Sequence, residues 1–69
     1  MECPRCAGQG EILRVRIRET GEILQVCNEC DATWKGDEQV RLGTFIDFTT
    51  YIRQQGLNGY GWDHSEPAQ

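Results

Sequence analysis

Long apolar runs are missing from this sequence of 69 residues. A helix that crosses a bilayer needs roughly 20 consecutive apolar residues, so we expect no membrane span. The N-terminal residues also lack the charged and apolar regions of a signal peptide, which predicts a cytoplasmic protein whose thiols stay reduced. Hydrophobic residues make up 38% and charged residues 26%, a balance that is typical of a folded domain rather than a disordered tail.

Histidine is scarce, and basic residues are fewer than acidic ones. The one histidine, His64, has no identifiable catalytic partner, and the carboxylates show no spacing that marks an acid and base pair. We therefore expect no enzyme activity and no small-molecule substrate. Acidic residues outnumber basic ones by 11 to 7, and the formal net charge is −4, so the overall field does not attract nucleic acid.

Four cysteines are present, in the pairs Cys3-Pro4-Arg5-Cys6 and Cys27-Asn28-Glu29-Cys30. A gap of two residues lets one tight turn aim two sulfurs at one ion, so the two pairs together fit one tetrahedral metal. We expect one structural zinc ion, with iron as the alternative for the same donor set. Four thiolates leave no open position for substrate, and a domain this small needs such a site for stability.

The stretch between the two cysteine pairs predicts a β-hairpin. Residues 11–18 alternate between apolar and basic side chains, with Leu13, Val15 and Ile17 on one face. Residues 19–22 are turn-like, and residues 23–27 form the returning strand. The hairpin therefore brings the second cysteine pair back to the first.

A third strand is expected over residues 31–35, and residues 40–42 are a candidate extension of the sheet. We expect Trp34 to pack beside the metal site and shield the sulfurs from water.

Residues 3–34 resemble the zinc-ribbon families, in which two Cys-x-x-Cys turns are joined by a hairpin and followed by a third strand. The resemblance implies a small metal-stabilised β or α+β domain with a three-stranded antiparallel sheet. It implies little about function, because such ribbons occur in transcription factors, polymerase subunits, ribosomal proteins and adaptors. One feature departs from the family: Ala7 and Asp31 stand directly after the second cysteine of each pair, where glycine is frequent. This departure predicts a different arrangement of the amide hydrogen bonds to sulfur.

Residues 45–55 predict a C-terminal helix that packs on the sheet. Thr44 is a candidate N-cap and Gly56 a left-handed stop. The helix places three apolar side chains on one stripe: Phe45, Phe48 and Ile52. The branched and aromatic residues favour a strand by propensity, which is the alternative for this segment. We thus expect a zinc-ribbon domain over residues 1–57 and a flexible tail over residues 58–69.

Two groups of side chains are candidates for partner binding. Arg14, Arg16 and Arg18 lie about 7 Å apart along one strand face, a spacing that suits phosphates or an acidic protein patch. The other interpretation is a solvated face whose charges are partly neutralised by Glu22. Tyr60 and Trp62 either stack on a partner or fold back onto the domain.

Three functional hypotheses follow. The first is a structural and interaction module that docks on a protein partner, as a small regulator or accessory subunit. The second is a nucleic-acid-binding ribbon that uses the three arginines, and the third is rubredoxin-like electron transfer with iron in the four-cysteine site.

Overall fold

The computed structural model describes residues 2–68, which form five strands, one α-helix and one 3-10 helix. In chain order these elements are β1 (Ile12–Ile17), β2 (Ile23–Cys27), β3 (Ala32–Lys35), β4 (Ile46–Asp47), α1 (Phe48–Gln54), the 3-10 helix (Gly61–His64) and β5 (Ser65–Pro67). All five strands belong to one antiparallel sheet in the order β4-β3-β2-β1-β5.

The hairpin of β1 and β2 is confirmed. Its register places Ile12 opposite Cys27, which brings the end of β2 beside the start of β1. Val15 and Ile17 are buried as the alternation predicts, but Leu13 is 41% exposed. Leu13 lines an open groove of about 540 Å³ between β1 and β5, because β5 pairs only with the later part of β1.

The prediction of a three-stranded sheet was wrong, since two further strands extend it. β4 pairs with β3, where Ile46 lies opposite Thr33. β5 lies within residues 58–69, for which the sequence predicted a tail, and pairs with β1 through residues 65–67. Residues 40–42, the candidate extension, form no strand. Val40 instead packs against the apolar cluster around Trp34.

Helix α1 begins later than the sequence predicted. Asp47, not Thr44, is the N-cap, because its carboxylate accepts a hydrogen bond of 3.1 Å from the N–H of Thr50. The preceding residue, Ile46, is in β4, so the strand and helix interpretations of this segment each hold for part of it. Gly56 follows the helix with a φ of 84°, and Leu57 packs back on the core.

Apolar side chains cover both faces of the sheet. On one face, α1 and the 3-10 helix close a core of six buried residues: Val15, Ile17, Leu24, Val26, Phe48 and Ile52. On the other face, Trp34 and Ala32 form a second cluster with the cysteines. The four cysteines are therefore continuous with one of the two halves of the core.

Strand β5 forms an outer edge that offers few donors to another strand. The N–H of Ser65 donates to the carbonyl of Trp62, and Pro67 has no N–H. Proline and occupied donors at an edge prevent the pairing of a further strand. The sheet therefore ends at β5 on this side.

Candidate metal centre

Four cysteine sulfurs meet at one end of the sheet. Cys3 and Cys6 lie in the turn before β1, Cys27 is the last residue of β2, and Cys30 lies in the turn before β3. Their Sγ atoms all lie within 4.8 Å of one another. The predicted ligands are thus brought together by the hairpin that separates them in sequence.

The separations of the sulfurs fit a tetrahedral metal. The Sγ atoms of Cys3 and Cys30 are 3.6 Å apart, and those of Cys6 and Cys27 are 3.7 Å apart. A tetrahedron with metal–sulfur bonds of about 2.3 Å has edges of about 3.8 Å. These two separations match such a tetrahedron, and the donor set suits zinc or iron.

Backbone amides of the second turn point at sulfur. The N–H groups of Glu29 and Cys30 approach the Sγ of Cys27 at 3.4 Å and 3.5 Å. Burial acts to raise the pKa of Cys27, but these two N–H groups and the contacts with the thiols of Cys3 and Cys30 together lower it to about 7. Amides directed at sulfur stabilise the thiolate that a metal requires.

The pKa values of the two half-buried thiols, Cys6 and Cys30, are raised instead of lowered. Burial, together with contacts to the neighbouring thiols, raises the pKa of Cys30 to about 12. Burial and the contacts with Cys27 and Cys3 also raise the pKa of Cys6. Thiols packed this closely become thiolates together only when a cation compensates their charges. The four thiols are therefore suited to hold one cation together.

Both turns contain a left-handed residue after the second cysteine. Ala7 has a φ of 55° and Asp31 a φ of 62°. Glycine is frequent at these positions in the zinc ribbons that the two cysteine turns resemble, whereas this chain adopts the left-handed backbone with alanine and aspartate. The conformation costs a non-glycine residue about 1–2 kcal/mol, although aspartate tolerates it better than alanine.

Gly10 is a site residue that the sequence did not reveal. A Cβ at this position would lie 2.5 Å from the Sγ of Cys27 and 2.9 Å from the Cβ of Glu29. No side chain fits at that distance, so the approach of the first turn to the second requires glycine. In the sequence, Gly10 is indistinguishable from an ordinary turn glycine.

Aromatic rings cover the site, as predicted for Trp34. This tryptophan is 1% exposed, belongs to the same cluster as the cysteines and meets Phe45 edge-on at 6.2 Å between centroids. Arg5 lies over the Phe45 ring at 4.6 Å and donates to the carbonyl of Cys30. Both cysteine turns are thus joined to the loop that precedes β4.

Asp31 links the second turn to two other parts of the fold. Its side chain accepts a hydrogen bond of 2.8 Å from the indole N–H of Trp62, in the 3-10 helix. Its carbonyl accepts one of 2.9 Å from the N–H of Phe48, the first residue of α1. The backbone conformation set at the metal turn therefore positions both helices.

The three candidate arginines, of which Arg14 and Arg16 lie in β1 and Arg18 directly follows it, contact the protein itself. Arg16 forms an ion pair with Glu66 of β5, and its Nε donates to that carboxylate at 2.8 Å. Arg18 donates to the carbonyls of Ser65 and Asp63. Arg14 donates to the carbonyl of Gly36 at 3.2 Å.

Glu22, which the sequence suggested as a partner for the arginines, lies elsewhere. Its carboxylate accepts a hydrogen bond of 2.6 Å from Tyr51 of α1. Burial and this carboxylate raise the pKa of the Tyr51 hydroxyl to about 12. The charge opposite Arg16 is therefore provided by Glu66, across the pair of strands β1 and β5.

The two C-terminal aromatics differ in exposure. Trp62 is half-buried and meets Phe48 edge-on with 5.1 Å between ring centroids, so it folds back onto the core. Tyr60 is 51% exposed. Burial and the carboxylates of Asp31, Asp63 and Asp47 raise the pKa of Tyr60, so its hydroxyl faces an acidic surrounding.

The fold and the site define a small antiparallel domain with one α-helix and a candidate four-cysteine metal centre. Comparisons with protein families, with curated proteins and with solved structures found no match. The resemblance to zinc ribbons therefore rests on the two cysteine turns and the hairpin between them. Among residues 2–68, no helix has the length and apolar character that a bilayer span needs.

Proposed function

We propose that this chain binds one structural zinc ion through its four cysteines and acts as an interaction module that docks on a protein partner. The observation that supports the metal is the set of four Sγ atoms within 4.8 Å, at separations that suit a tetrahedron. The four thiolates of Cys3, Cys6, Cys27 and Cys30 fill the shell, so the metal holds the fold together and has no position for substrate.

Metal analysis of the purified chain tests the first half of the proposal. We expect one zinc ion per chain and a colourless protein, and the variant His64→Ala should keep this stoichiometry because His64 contacts Glu19 and Asn58 rather than the cysteines. A red protein with one iron per chain would replace this proposal with electron transfer.

The docking surface that we propose is centred on Tyr60. Aromatic side chains are enriched at the centres of protein interfaces, and this one is half exposed. The acidic groups that act on it, Asp31, Asp47 and Asp63, suit a partner with basic side chains. The arginines of β1 give less support to nucleic-acid binding, because their guanidinium groups already donate to acceptors within the fold.

Capture from a nuclease-treated lysate tests the docking half of the proposal. We expect the zinc-loaded chain to retain a protein that is lost with Tyr60→Ala and kept with Leu42→Ala, since Leu42 is 57% exposed in the loop before β4. Tyr60 lies outside the buried clusters, so its replacement leaves the fold intact. Recovery of nucleic acid alone from an untreated lysate would contradict the proposal.

A further inference from the structure

Both ring nitrogens of His64 face hydrogen-bond acceptors. Nδ1 lies 2.6 Å from the carboxylate oxygen Oε2 of Glu19, in the turn between β1 and β2. Nε2 contacts the carbonyl oxygen of Asn58, in the loop after α1. A carboxylate and a carbonyl can only accept, so each contact needs an N–H on the histidine ring.

A neutral imidazole carries one N–H and satisfies one of these contacts. Its other nitrogen would then place a lone pair against an oxygen. The imidazolium ion donates from both nitrogens and satisfies both. The geometry therefore selects the protonated ring.

The charges around the ring agree with this selection. The carbonyl of Asn58 and the carboxylate of Glu19 raise the pKa of His64 above its usual 6.5, against the opposing effects of burial and of Arg18. The same contact lowers the pKa of Glu19 below its usual 4.5. Glu19 and Arg18 are the charged side chains that act on His64, and both lie in the turn that follows β1.

The contacts of His64 lie where residues 58–66 dock on the hairpin. Its carbonyl accepts a hydrogen bond of 2.9 Å from the N–H of Arg18, and the Arg18 side chain donates to the carbonyls of Asp63 and Ser65. Asn58 and His64 also bracket the loop that presents Tyr60. A change in the protonation of the His64 ring therefore acts on the segment that contains the 3-10 helix.

We propose that His64, Glu19 and Asn58 form a pH-sensitive clasp, which holds residues 58–64 against the turn between β1 and β2 while His64 is protonated and loosens when it loses its proton. This inference does not rest on the proposed docking function. The clasp consists of contacts within the fold, and it acts on a segment that is distant in sequence from the cysteines.

The sign of the effect follows from the two pKa shifts. A raised pKa at His64 stabilises the clasp at pH values below 6.5, and this contribution is lost as the pH rises through the folded pKa. A lowered pKa at Glu19 stabilises it above 4.5, and this contribution is lost as the pH falls through its folded pKa. The clasp is therefore closed between these values and opens on the alkaline side of 6.5.

NMR titration of the zinc-loaded chain tests the clasp directly. We expect the His64 ring to titrate with a midpoint above 6.5. The Arg18 amide donates to the backbone carbonyl of His64, and its protection from exchange should fall several-fold at the same midpoint. The Gly36 amide, which donates to Ile23 across the other strand pair, is the internal reference and should not change beyond the intrinsic pH dependence of exchange.

Three variants separate the clasp from a general pH effect. Glu19→Gln keeps an acceptor but removes the charge, so the midpoint of His64 should move back toward 6.5. Asp37→Asn removes an equal charge from the exposed turn after β3 and should leave the midpoint unchanged. His64→Gln should abolish the step in Arg18 protection. A His64 midpoint at or below 6.5, or an Arg18 step that persists in His64→Gln, would overturn the proposal.

Discussion

At the scale of single residues, the site depends on backbone positions as much as on its four sulfurs. The chain has alanine and aspartate in left-handed conformations after the second cysteines, and glycine at the point where the two turns touch. These positions decide how closely the turns approach one another. Two substitutions test this.

Gly10→Ala should weaken metal binding. The new Cβ would stand 2.5 Å from the Sγ of Cys27, so the two turns must separate and the ligands leave tetrahedral positions. Changes just outside the ligand shell typically cost about 10–100-fold in affinity, and we expect a loss of this order in competition with a chromophoric chelator. The control is Gly43→Ala, where a Cβ meets no atom within 4 Å. Equal affinities for the two variants would contradict the contact.

Ala7→Gly should stabilise the zinc-loaded chain. Glycine removes the cost of about 1–2 kcal/mol of the left-handed conformation but adds about 0.4–1 kcal/mol of unfolded-state entropy. We expect a net gain of about 0.5–1 kcal/mol in the free energy of unfolding, measured by guanidinium titration at fixed free zinc. Ala68→Gly, at a residue without a positive φ, should give no gain. A loss of stability in Ala7→Gly would show that the strain is absent.

At the scale of elements, short segments are held by pairing with distant ones. β4 has two residues and β5 three, lengths too small to form without partners. Helix α1 has seven residues, below the length at which an isolated helix is stable. Its position therefore depends on its cap and on the burial of Phe48 and Ile52.

Asp47→Ala should destabilise the fold by about 1 kcal/mol, because the N–H of Thr50 loses its acceptor. The matched control is Thr44→Ala, at the position that the sequence alone suggested as the cap. Thr44 is exposed, and its replacement should change the free energy of unfolding by less than about 0.5 kcal/mol. Comparable losses in both variants would place the start of the helix before Phe48.

At the scale of the whole molecule, two apolar clusters share one thin sheet, and one of them contains the cysteines. Neither cluster is large for a domain of 69 residues. We therefore expect a metal bound by the four cysteines, together with the aromatic cover around them, to contribute a large part of the stability.

Removal of the metal should unfold most of the tertiary structure. Binding at four-cysteine sites contributes an apparent free energy of about 10–16 kcal/mol, comparable with the total stability of about 5–15 kcal/mol of an ordinary domain. We expect a chelator to collapse the dispersion of the NMR spectrum and excess zinc to restore it. Native-like dispersion in the chelator-treated chain would contradict a structural role for the metal.

The local patterns of the sequence were sufficient to predict the cysteine cluster, the hairpin and the cover by Trp34. Cysteine spacing and period-two alternation act over a few residues, and a hairpin converts them into one site without help from distant segments. The same patterns predicted a left-handed stop at Gly56, which the structure has. This part of the fold is determined by interactions between residues that are close together in sequence.

Tertiary structure alone decided the rest. The pairing of β5 with β1 and the ion pair of Arg16 with Glu66 join residues about 50 positions apart, and no local pattern specifies such partners. The requirement for glycine at position 10 arises from contact with a sulfur 17 residues later. His64 contacts Asn58 within its own segment, but it gains Glu19, 45 residues away, only when residues 58–66 dock on the hairpin. The sequence by itself therefore determined which four cysteines meet, and long-range packing determined the surfaces that surround them.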